Sequence, residues 1–327
     1  MDQFVSFLIG RSFAMVCLLF FGLPCWADVY PVRPIRLIAA NSAGGGLDTV
    51  SRAISGKLSA ALGQSVIVDN RAGAAGSVAS EITAKSAPDG YTLLCGSLGG
   101  LAVNTELYKG LTWHPMRDFS AVISATSQSN VVAVNISTTF KTIKDLITTV
   151  KTQPGKLTYG SSGAGNGGHL ATELFLAMTG GKMVHVPYKG GAPAMVDLIA
   201  GQVQVVFSSA PTAIPQLRTG KIRGLAVTTL QRSSVLPDLP TLAESGLAGY
   251  DADNWYGFVV AAKTPQKIVQ QLHTEIDRAL HAPDVQQKLL LQGLEVHTGT
   301  SAEFAAYMKS EHLKWGKLIR ETGISAN

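Results

Sequence analysis

The segment PIRLIAANSAGGGLDTVSR, residues 34–52, contains the most informative pattern for the fold. Its apolar run Ile35 to Ala39 predicts a buried strand, and Asp48 is a start signal for a helix over Val50 to Leu62. The connection Asn41 to Asp48 is rich in glycine, which lets a backbone come close to a ligand. A strand, a glycine-rich turn and a helix in this order predict a βαβ unit whose helix N-terminus can bind an anion.

The same order of strand, turn and helix returns further along the chain. The turns are Asn70 to Ser77, Gly160 to His169 and, in weaker form, Lys189 to Pro193. Helix starts offer N–H groups without intrahelical partners and a partial positive charge. One such turn would mean little, but their repetition predicts a site for a carboxylate or a phosphate.

Short β-rich apolar runs alternate with helical patterns from Ile35 onward, which predicts an α/β fold with parallel sheets built from βαβ units. Helices are predicted over Lys267 to Leu280 and Ser301 to Arg320, and we expect the aromatic residues of the second to be core. The predicted strands are Ile35 to Ala39, Val66 to Val68, Tyr91 to Cys95, Val131 to Val134, Met183 to Val186, Val203 to Phe207, Leu225 to Thr228 and Phe258 to Ala261.

The first residues have the layout of a secretory signal peptide, which we assign to residues 1–27. Arg11 precedes an apolar run from Phe13 to Phe21, and the small residue Ala27 suits a cleavage site. The run is too short for a transmembrane helix, which needs roughly 20 apolar residues. We expect cleavage after Ala27 and a periplasmic protein, although Cys25 leaves a lipoprotein signal open.

Composition narrows the classes of function. Cleavage would leave 300 of 327 residues, a length that favours two lobes, and Cys95 as a lone cysteine that we expect in the core. The formal charge of +5 suits an anionic ligand, and no cluster of Lys and Arg with interleaved aromatics indicates nucleic acid. The seven histidines lack metal-site spacing, so we expect neither a metal nor a cofactor.

Two catalytic or cofactor interpretations compete at the third turn. Gly163, Gly165 and Gly168 spell G-x-G-x-x-G, but no acid lies about 20 residues further on to hold a ribose. A secreted hydrolase could use Ser162 and His169, yet a serine and a histidine alone are not a triad. We therefore expect the hydroxyl groups to bind a ligand, while His169 either contacts it or packs and caps.

Several longer motifs resemble the Bug, or tripartite tricarboxylate transporter, extracytoplasmic solute-binding proteins (TctC-like). The resemblance runs from about Pro31 to about Ile324. It implies a periplasmic binding protein type II fold with a central ligand cleft between lobe 1, residues 28–126 plus 250–327, and lobe 2, residues 127–249. The motifs are PVRPIRLIAA from Pro31, NRAGAAGSVA from Asn70, APDGYTLL from Ala87, YGSSGAGNGGH from Tyr159, HVPYKGGAPAMVDLIAGQV from His185, LPDLPTLAESGL from Leu236 and NWYG from Asn254.

The resemblance also implies a function without chemistry. A monomer would capture a mono-, di- or tricarboxylate, an acidic amino acid or an aromatic acid, and deliver it to the membrane subunits of a tripartite tricarboxylate transporter. A sensory binding protein with the same cleft stays an alternative. Asp48 would cap its helix or accept a ligand ammonium. The expected ligand-binding residues are Asn41, Ser42, Gly44, Gly45, Gly46, Asp48, Gly73, Ser97, Ser161, Ser162, Gly163, Asn166, His169, Ser208 and Trp255.

Overall fold

The structure is a computed structural model that describes residues 30–324, and from Arg33 onward the described chain forms one compact unit. The predicted signal peptide and its cleavage site after Ala27 lie outside the described residues. None of the helices within residues 30–324 has the length and apolar character that a membrane span requires.

Strands and helices alternate along the described residues, with a 3₁₀ turn at Ala74–Gly76 and a π-helical turn at Gly99–Val103. The strands are β1 (Ile35–Ala39), β2 (Val66–Asn70), β3 (Thr92–Ser97), β4 (Phe119–Gln128), β5 (Asn130–Asn135), β6 (Thr158–Ser161), β7 (Val184–Pro187), β8 (Val205–Ser209), β9 (Ile222–Val227), β10 (Asn254–Ala261) and β11 (Glu295–Val296). The helices are α1 (Gly46–Leu62), α2 (Ser77–Ala84), α3 (Asn104–Leu107), α4 (Pro115–Asp118), α5 (Ile143–Thr152), α6 (Gly167–Thr179), α7 (Gly191–Ile199), α8 (Ala210–Arg218), α9 (Gln266–Leu280), α10 (Pro283–Leu290) and α11 (Ser301–Thr322).

The first lobe is built on a six-stranded mixed sheet in the order β11-β4-β10-β3-β1-β2. β1 pairs in parallel with β2 and with β3, whereas β10 runs antiparallel between β3 and β4. Ile35, Leu37 and Ile38 of β1 are at most 1% exposed, and helix α1 packs against this strand and its neighbours β2 and β3. Burying side chains of this size stabilises the fold by about 1.5–3 kcal/mol each.

The second lobe is built on a five-stranded mixed sheet in the order β7-β6-β8-β5-β9. β6 pairs in parallel with β7 and β8, and β5 runs antiparallel to β8 and β9. Val131 and Ala133 of β5 pack with Met195 and Leu198 of α7 and with Val206 of β8. This cluster fixes α7 and β8 relative to each other, and with them the turns at their ends.

The α/β class and the two lobes with a central cleft are confirmed, and all eight predicted strands are present within a few residues. Three strands, β4, β6 and β11, were not predicted. The expectation of parallel sheets holds only for part of each sheet, because β10 runs antiparallel between β3 and β4, and β5 runs antiparallel between β8 and β9. The lobe limits at residues 126/127 and 249/250 stay a prediction.

Two further expectations about the core are confirmed. Cys95 is fully buried, and burial raises the pKa of its thiol to about 12, as for an inert core residue. On α11, Phe304, Met308 and Trp315 are buried at helical spacing. Helix α1 begins at Gly46, so Asp48 lies in its first turn and not ahead of it.

Candidate functional site

The carboxyl ends of the parallel strands of both sheets open onto one cavity of about 840 Å³. Turns after β1, β2 and β3 line it from the first lobe, and turns after β6, β7 and β8 line it from the second. This crevice beyond the strand ends is where open α/β sheets bind ligands. Its size falls within the range of small-molecule sites.

The first turn runs from Asn41 to Gly46 and leads directly into α1. The helix has Gly45 as its N-cap, and no side chain caps it. A Cβ atom at Gly46 would collide with the hydroxyl group of Tyr256, so glycine allows β10 to pack against this helix start. The N–H group of Gly46 has no hydrogen-bond partner among residues 30–324 and lies at the cavity wall.

Asp48 braces this turn from behind and does not line the cavity. Its carboxylate accepts hydrogen bonds from the Gly44 N–H at 2.8 Å, the Arg52 guanidinium at 2.7 Å and the Asn70 amide at 3.0 Å. Burial alone would raise the pKa of Asp48, but these three donors outweigh it and hold the pKa below its ordinary value. Asp48 therefore supports the loop as an anion whose oxygen atoms are already engaged, and nothing in this geometry favours contact with a ligand ammonium.

The second turn carries backbone strain beside the cavity. Ala74 and Ala75 have φ angles of 44° and 50°, in the left-handed region that costs a non-glycine residue about 1–3 kcal/mol. The buried amide of Asn104 donates to the carbonyl groups of both alanines, at 3.2 and 3.1 Å. Gly73, at φ 135°, precedes them and also lines the cavity. Asn104 thus fixes the conformation of the second turn.

The third turn connects β6 with α6 and faces the first two. Asn166 is the N-cap of α6, but its side chain donates to the carbonyl group of Ser162 at 3.0 Å and leaves the helix N–H groups free. A Cβ atom at Gly168 would collide with the carbonyl oxygen of Phe207, so glycine lets α6 begin directly on β8. At Gly165 a Cβ atom would strike Leu107 of the first lobe, which shows how closely the two lobes approach here.

A layer of buried side chains supports the third turn from outside the cavity. The Gly165 N–H donates to Nδ1 of His169 at 3.0 Å, and the Ser161 hydroxyl lies 2.7 Å from Nε2 of His185. The two imidazole rings stack with centroids 4.1 Å apart. Burial lowers the pKa of His169 to about 3 and that of His185 to about 4, so both rings are neutral at physiological pH.

This layer bears on the hydrolase interpretation. His169 is 3% exposed and its Nδ1 atom is taken by Gly165, so it packs and caps instead of activating Ser162. No hydrogen bond joins Ser162 to His169 among the described residues. The pair needed for nucleophilic catalysis is therefore not assembled.

No side chain caps the N-termini of the helices that begin at the cavity, whereas α4, α5 and α11 begin with a side-chain cap. Gly46, Gly167 and Gly191 begin three of them, and their N–H groups have no hydrogen-bond partner among residues 30–324. Such groups carry the positive end of a helix dipole. The N-caps concerned are Gly45 of α1, Gly76 of α2, Asn166 of α6, Gly190 of α7 and Ser209 of α8.

Charged side chains are almost excluded from the cavity wall. Lys189 is the one charged residue among the described residues that line it, and neither an aspartate nor a glutamate is present there. Lys189 is exposed and has no ion-pair partner within residues 30–324. The wall therefore offers a positive potential from backbone amides and one lysine, without a carboxylate to hold a cation or a ribose.

Most of the residues expected to bind the ligand come together at this cavity, and four lie elsewhere. The lining ones are Asn41, Ser42, Gly44, Gly45, Gly46, Gly73, Ser97, Ser162, Gly163, Asn166 and Ser208. The four that do not line it are Asp48, Ser161, His169 and Trp255. Contact of the lining residues with a ligand stays a prediction.

Trp255 packs in the core, and its neighbour Tyr256 lines the cavity. It is 1% exposed, its indole donates to Glu311 at 3.2 Å, and its ring packs edge-on against Phe304 of α11. Because successive side chains of a strand point to opposite faces, Tyr256 faces the cavity instead. The sequence reasoning also missed Asn130 and Lys189, of which Lys189 is signalled by the weaker turn at Lys189 to Pro193.

Within the part of the chain that the structure describes, no group of three His, Cys, Asp or Glu side chains is placed to hold a metal ion. The donor set at the cavity consists of amide N–H groups, hydroxyls and side-chain amides. These groups suit an oxygen-rich anion.

Two α/β lobes that enclose a cleft walled by unpaired backbone amides define a solute-binding protein of the type II periplasmic architecture. The chain belongs to the family described as tripartite tricarboxylate transporter family receptor, whose model matches residues 50–324.

Individual relatives agree with this assignment. The chain is 34% identical over 301 residues to protein BugT of Bordetella pertussis, covering 92% of each chain. It resembles the solved structure of Rhodopseudomonas palustris Rpa4515 with adipate, with a TM-score of 0.84, 36% identity and coverage of 90% of this chain and 99% of that one. It also resembles MatC from the same organism with bound malate, with a TM-score of 0.81, 29% identity and coverage of 89% and 99%.

Proposed function

We propose that this protein captures a small carboxylate between its lobes in the periplasm, without chemical change. The observation that carries the proposal is a cavity wall that has unpaired helix N–H groups on both sides and no acidic side chain among the described lining residues. A carboxylate can accept from several N–H groups at once, and the helix dipoles add to each bond. An acidic wall residue would oppose such a solute.

The similar structures support the same class of ligand. Adipate and malate, named with two of the similar structures, are both dicarboxylates. A dicarboxylate can place one carboxylate at the first turn and the other at the facing turn, so that its binding favours the closed arrangement of the lobes. An acidic amino acid is the less favoured ligand, because the oxygen atoms of Asp48 are already engaged.

Closure requires hinges where the chain passes between the lobes. We assign lobe 1 to residues 28–126 plus 250–327 and lobe 2 to residues 127–249, with Ser129 on the first crossing. Closed, ligand-bound monomer would dock on the membrane subunits of a tripartite tricarboxylate transporter. Delivery to a sensor protein would use the same cleft and the same closed form.

A thermal-shift screen of the protein lacking residues 1–27 tests the proposal. The ligands are malate, succinate, glutarate, adipate, citrate, glutamate and benzoate, with glycerol and putrescine as neutral and cationic controls. We expect at least one carboxylate to raise the melting temperature in a concentration-dependent way, because it binds only the folded state. Shifts confined to the neutral or cationic compounds would contradict the proposal.

A further inference from the structure

The side-chain amide of Asn130, which lines the cavity, makes no hydrogen bond that would explain its burial. Asn130 is 1% exposed, and neither its side-chain nitrogen nor its side-chain oxygen has a hydrogen-bond partner among the described residues. Because both atoms are unpartnered, the conclusion is the same for either orientation of the amide. Leaving both groups unpaired is costly, so such a residue calls for an explanation.

The amide belongs to the cavity and not to the packed core of either lobe. Asn130 is among the residues that line the cavity, and its backbone is already occupied, since Thr228 Oγ1 accepts from its N–H at 2.9 Å and its carbonyl accepts from the Thr228 N–H at 3.0 Å. The side chain is thus the part of Asn130 that is left to bind a solute. At Asn41, on the opposite wall, only Oδ1 is buried without a partner.

The neighbourhood of Asn130 indicates what the amide would meet. In the pairing of β5 with β8, Asn130 lies opposite Ser209, which is the uncapped N-cap of α8. Residues paired in this way have Cβ atoms about 5 Å apart. The first N–H group of α8, from Ala210, donates to the carbonyl group of Ser129 at 3.2 Å, so the groups left for a carboxylate here are the hydroxyls of Ser209 and Thr212 at the cavity wall. A carboxylate bound to them would place its α-carbon substituent close to the Asn130 amide.

The hydrogen-bonding groups of the Asn130 amide determine which substituent on the α-carbon of the ligand fits best. The amide presents two N–H donors and one acceptor, so a group that accepts and donates at the same time satisfies it best. A carboxylate only accepts and would leave Oδ1 unpaired, and a methylene group would leave the whole amide unpaired. A hydroxyl group accepts from Nδ2 and donates to Oδ1.

We infer that Asn130 is a specificity-determining residue that reads a hydroxyl group next to a carboxylate, so that 2-hydroxycarboxylates are the preferred solutes. The inference rests on the proposed function, because it assumes that a carboxylate occupies the cleft. It adds a requirement that the backbone amides alone do not impose. A site built to pair a substrate hydroxyl discriminates strongly against the analogue that lacks it.

Matched pairs of acids test the inference by isothermal titration calorimetry. The pairs are malate with succinate, and 2-hydroxyglutarate with glutarate. We expect the wild-type protein to bind the hydroxy acid roughly tenfold or more tightly than its partner. The variant Asn130→Leu should retain binding of both acids while the ratio falls to about twofold or less, because leucine offers no hydrogen bond of either kind.

Stability separates a binding role from a structural one. Asn130→Leu should melt at the wild-type temperature or above it, since the substitution removes unpaired buried polar atoms. The control is Asn135→Leu on the same strand, whose amide donates to the carbonyl groups of Leu198 at 2.7 Å and Ile199 at 3.0 Å. That variant should melt lower and keep the wild-type ratio.

The outcomes are distinguishable. Equal affinity for both members of every pair, or an unchanged ratio in Asn130→Leu, overturns the inference and leaves carboxylate binding standing. Lower melting of Asn130→Leu without ligand shows a structural amide and also overturns it. If the wild-type protein binds none of the four acids and none in the thermal-shift screen, the proposed function itself fails.

Discussion

The helices at the cleft and the helices away from it begin in different ways. Helices α5 and α11 start with complete capping boxes, Thr142 with Asp145 and Thr300 with Glu303, in which side chains satisfy the first N–H groups. Helices α1, α6 and α7 begin at the cavity with Gly45, Asn166 and Gly190 as N-caps, and no side chain bonds there. The chain thus uses caps where only stability is needed and omits them where a ligand can supply the acceptor.

Helices α9 and α10 also lack side-chain caps, but they do not weaken this contrast. Their N-caps are Pro265 and Ala282, and both helix starts are at the protein surface, where water can accept the bonds. The cleft is different because several open helix starts converge on one enclosed volume. Binding capacity here therefore depends on where the backbone N–H groups are placed more than on the type of side chain.

The largest effect on stability and binding is expected from adding a side chain at Gly168, where α6 begins directly against β8. In Gly168→Ala the new Cβ atom collides with the carbonyl oxygen of Phe207 and must push the helix start away. We expect a loss of about 1–3 kcal/mol in the free energy of unfolding, measured by urea denaturation, together with the loss of carboxylate binding.

A glycine in an open helix face provides the control for that variant. Gly56 lies in α1, is exposed, and a Cβ atom there meets nothing within 4 Å. Gly56→Ala should stabilise the protein by about 0.5–1 kcal/mol through helix propensity and leave affinity unchanged. If Gly168→Ala retained wild-type affinity, the start of α6 would not belong to the binding site.

The next effect on affinity comes from placing a negative charge at the cavity wall. Ser209→Asp adds a carboxylate at the start of α8 that repels an anionic ligand. We expect affinity for the tightest-binding acid, measured by calorimetry, to fall roughly tenfold or more, and this loss to shrink at high salt. Ala282→Asp adds the same charge at α10, away from the cavity, and should leave affinity unchanged. Equal effects in the two variants would point to net charge instead of local geometry.

The smallest effect on binding is expected at a helix whose N-terminus has a side-chain cap, such as α5. Thr142→Ala removes the side chain that accepts from the Asp145 N–H at the start of α5. We expect a cost of about 1 kcal/mol in the free energy of unfolding, with the affinity for carboxylates unchanged. A large loss of affinity in this variant would break the separation between stabilising and ligand-binding helix starts.

The sequence predicted the positions of the cavity-lining turns better than it predicted which residues of a strand face the cavity. The glycine-rich segments after β1, β2 and β6 lie at the cavity as expected, since strand, turn and helix are local signals. Ser161, Ser162 and Trp255 were all predicted at the cavity, but only Ser162 lines it, and Tyr256 lines it in place of Trp255. Alternation along a strand fixes that neighbours point apart, and only tertiary packing decides which of them faces the cleft.

Long-range pairing set the other limit. The antiparallel place of β10 between β3 and β4 depends on a chain return that no local pattern encodes. Asn130 lies at a point where the chain passes from one sheet to the other, and as the last residue of the polar stretch TSQSN, residues 126–130, it carries no signal of its own. Its unpaired amide becomes visible only when both lobes are in place.

The central claim is that backbone N–H groups at facing helix starts hold a carboxylate. A co-crystal structure with the acid that gives the largest thermal shift tests it most directly. We predict a carboxylate oxygen within about 3.2 Å of backbone nitrogens in the turn ending at Gly46 or in the facing turn ending at Gly167. An acid bound only through the side chain of Lys189, or outside this cavity, would contradict the account.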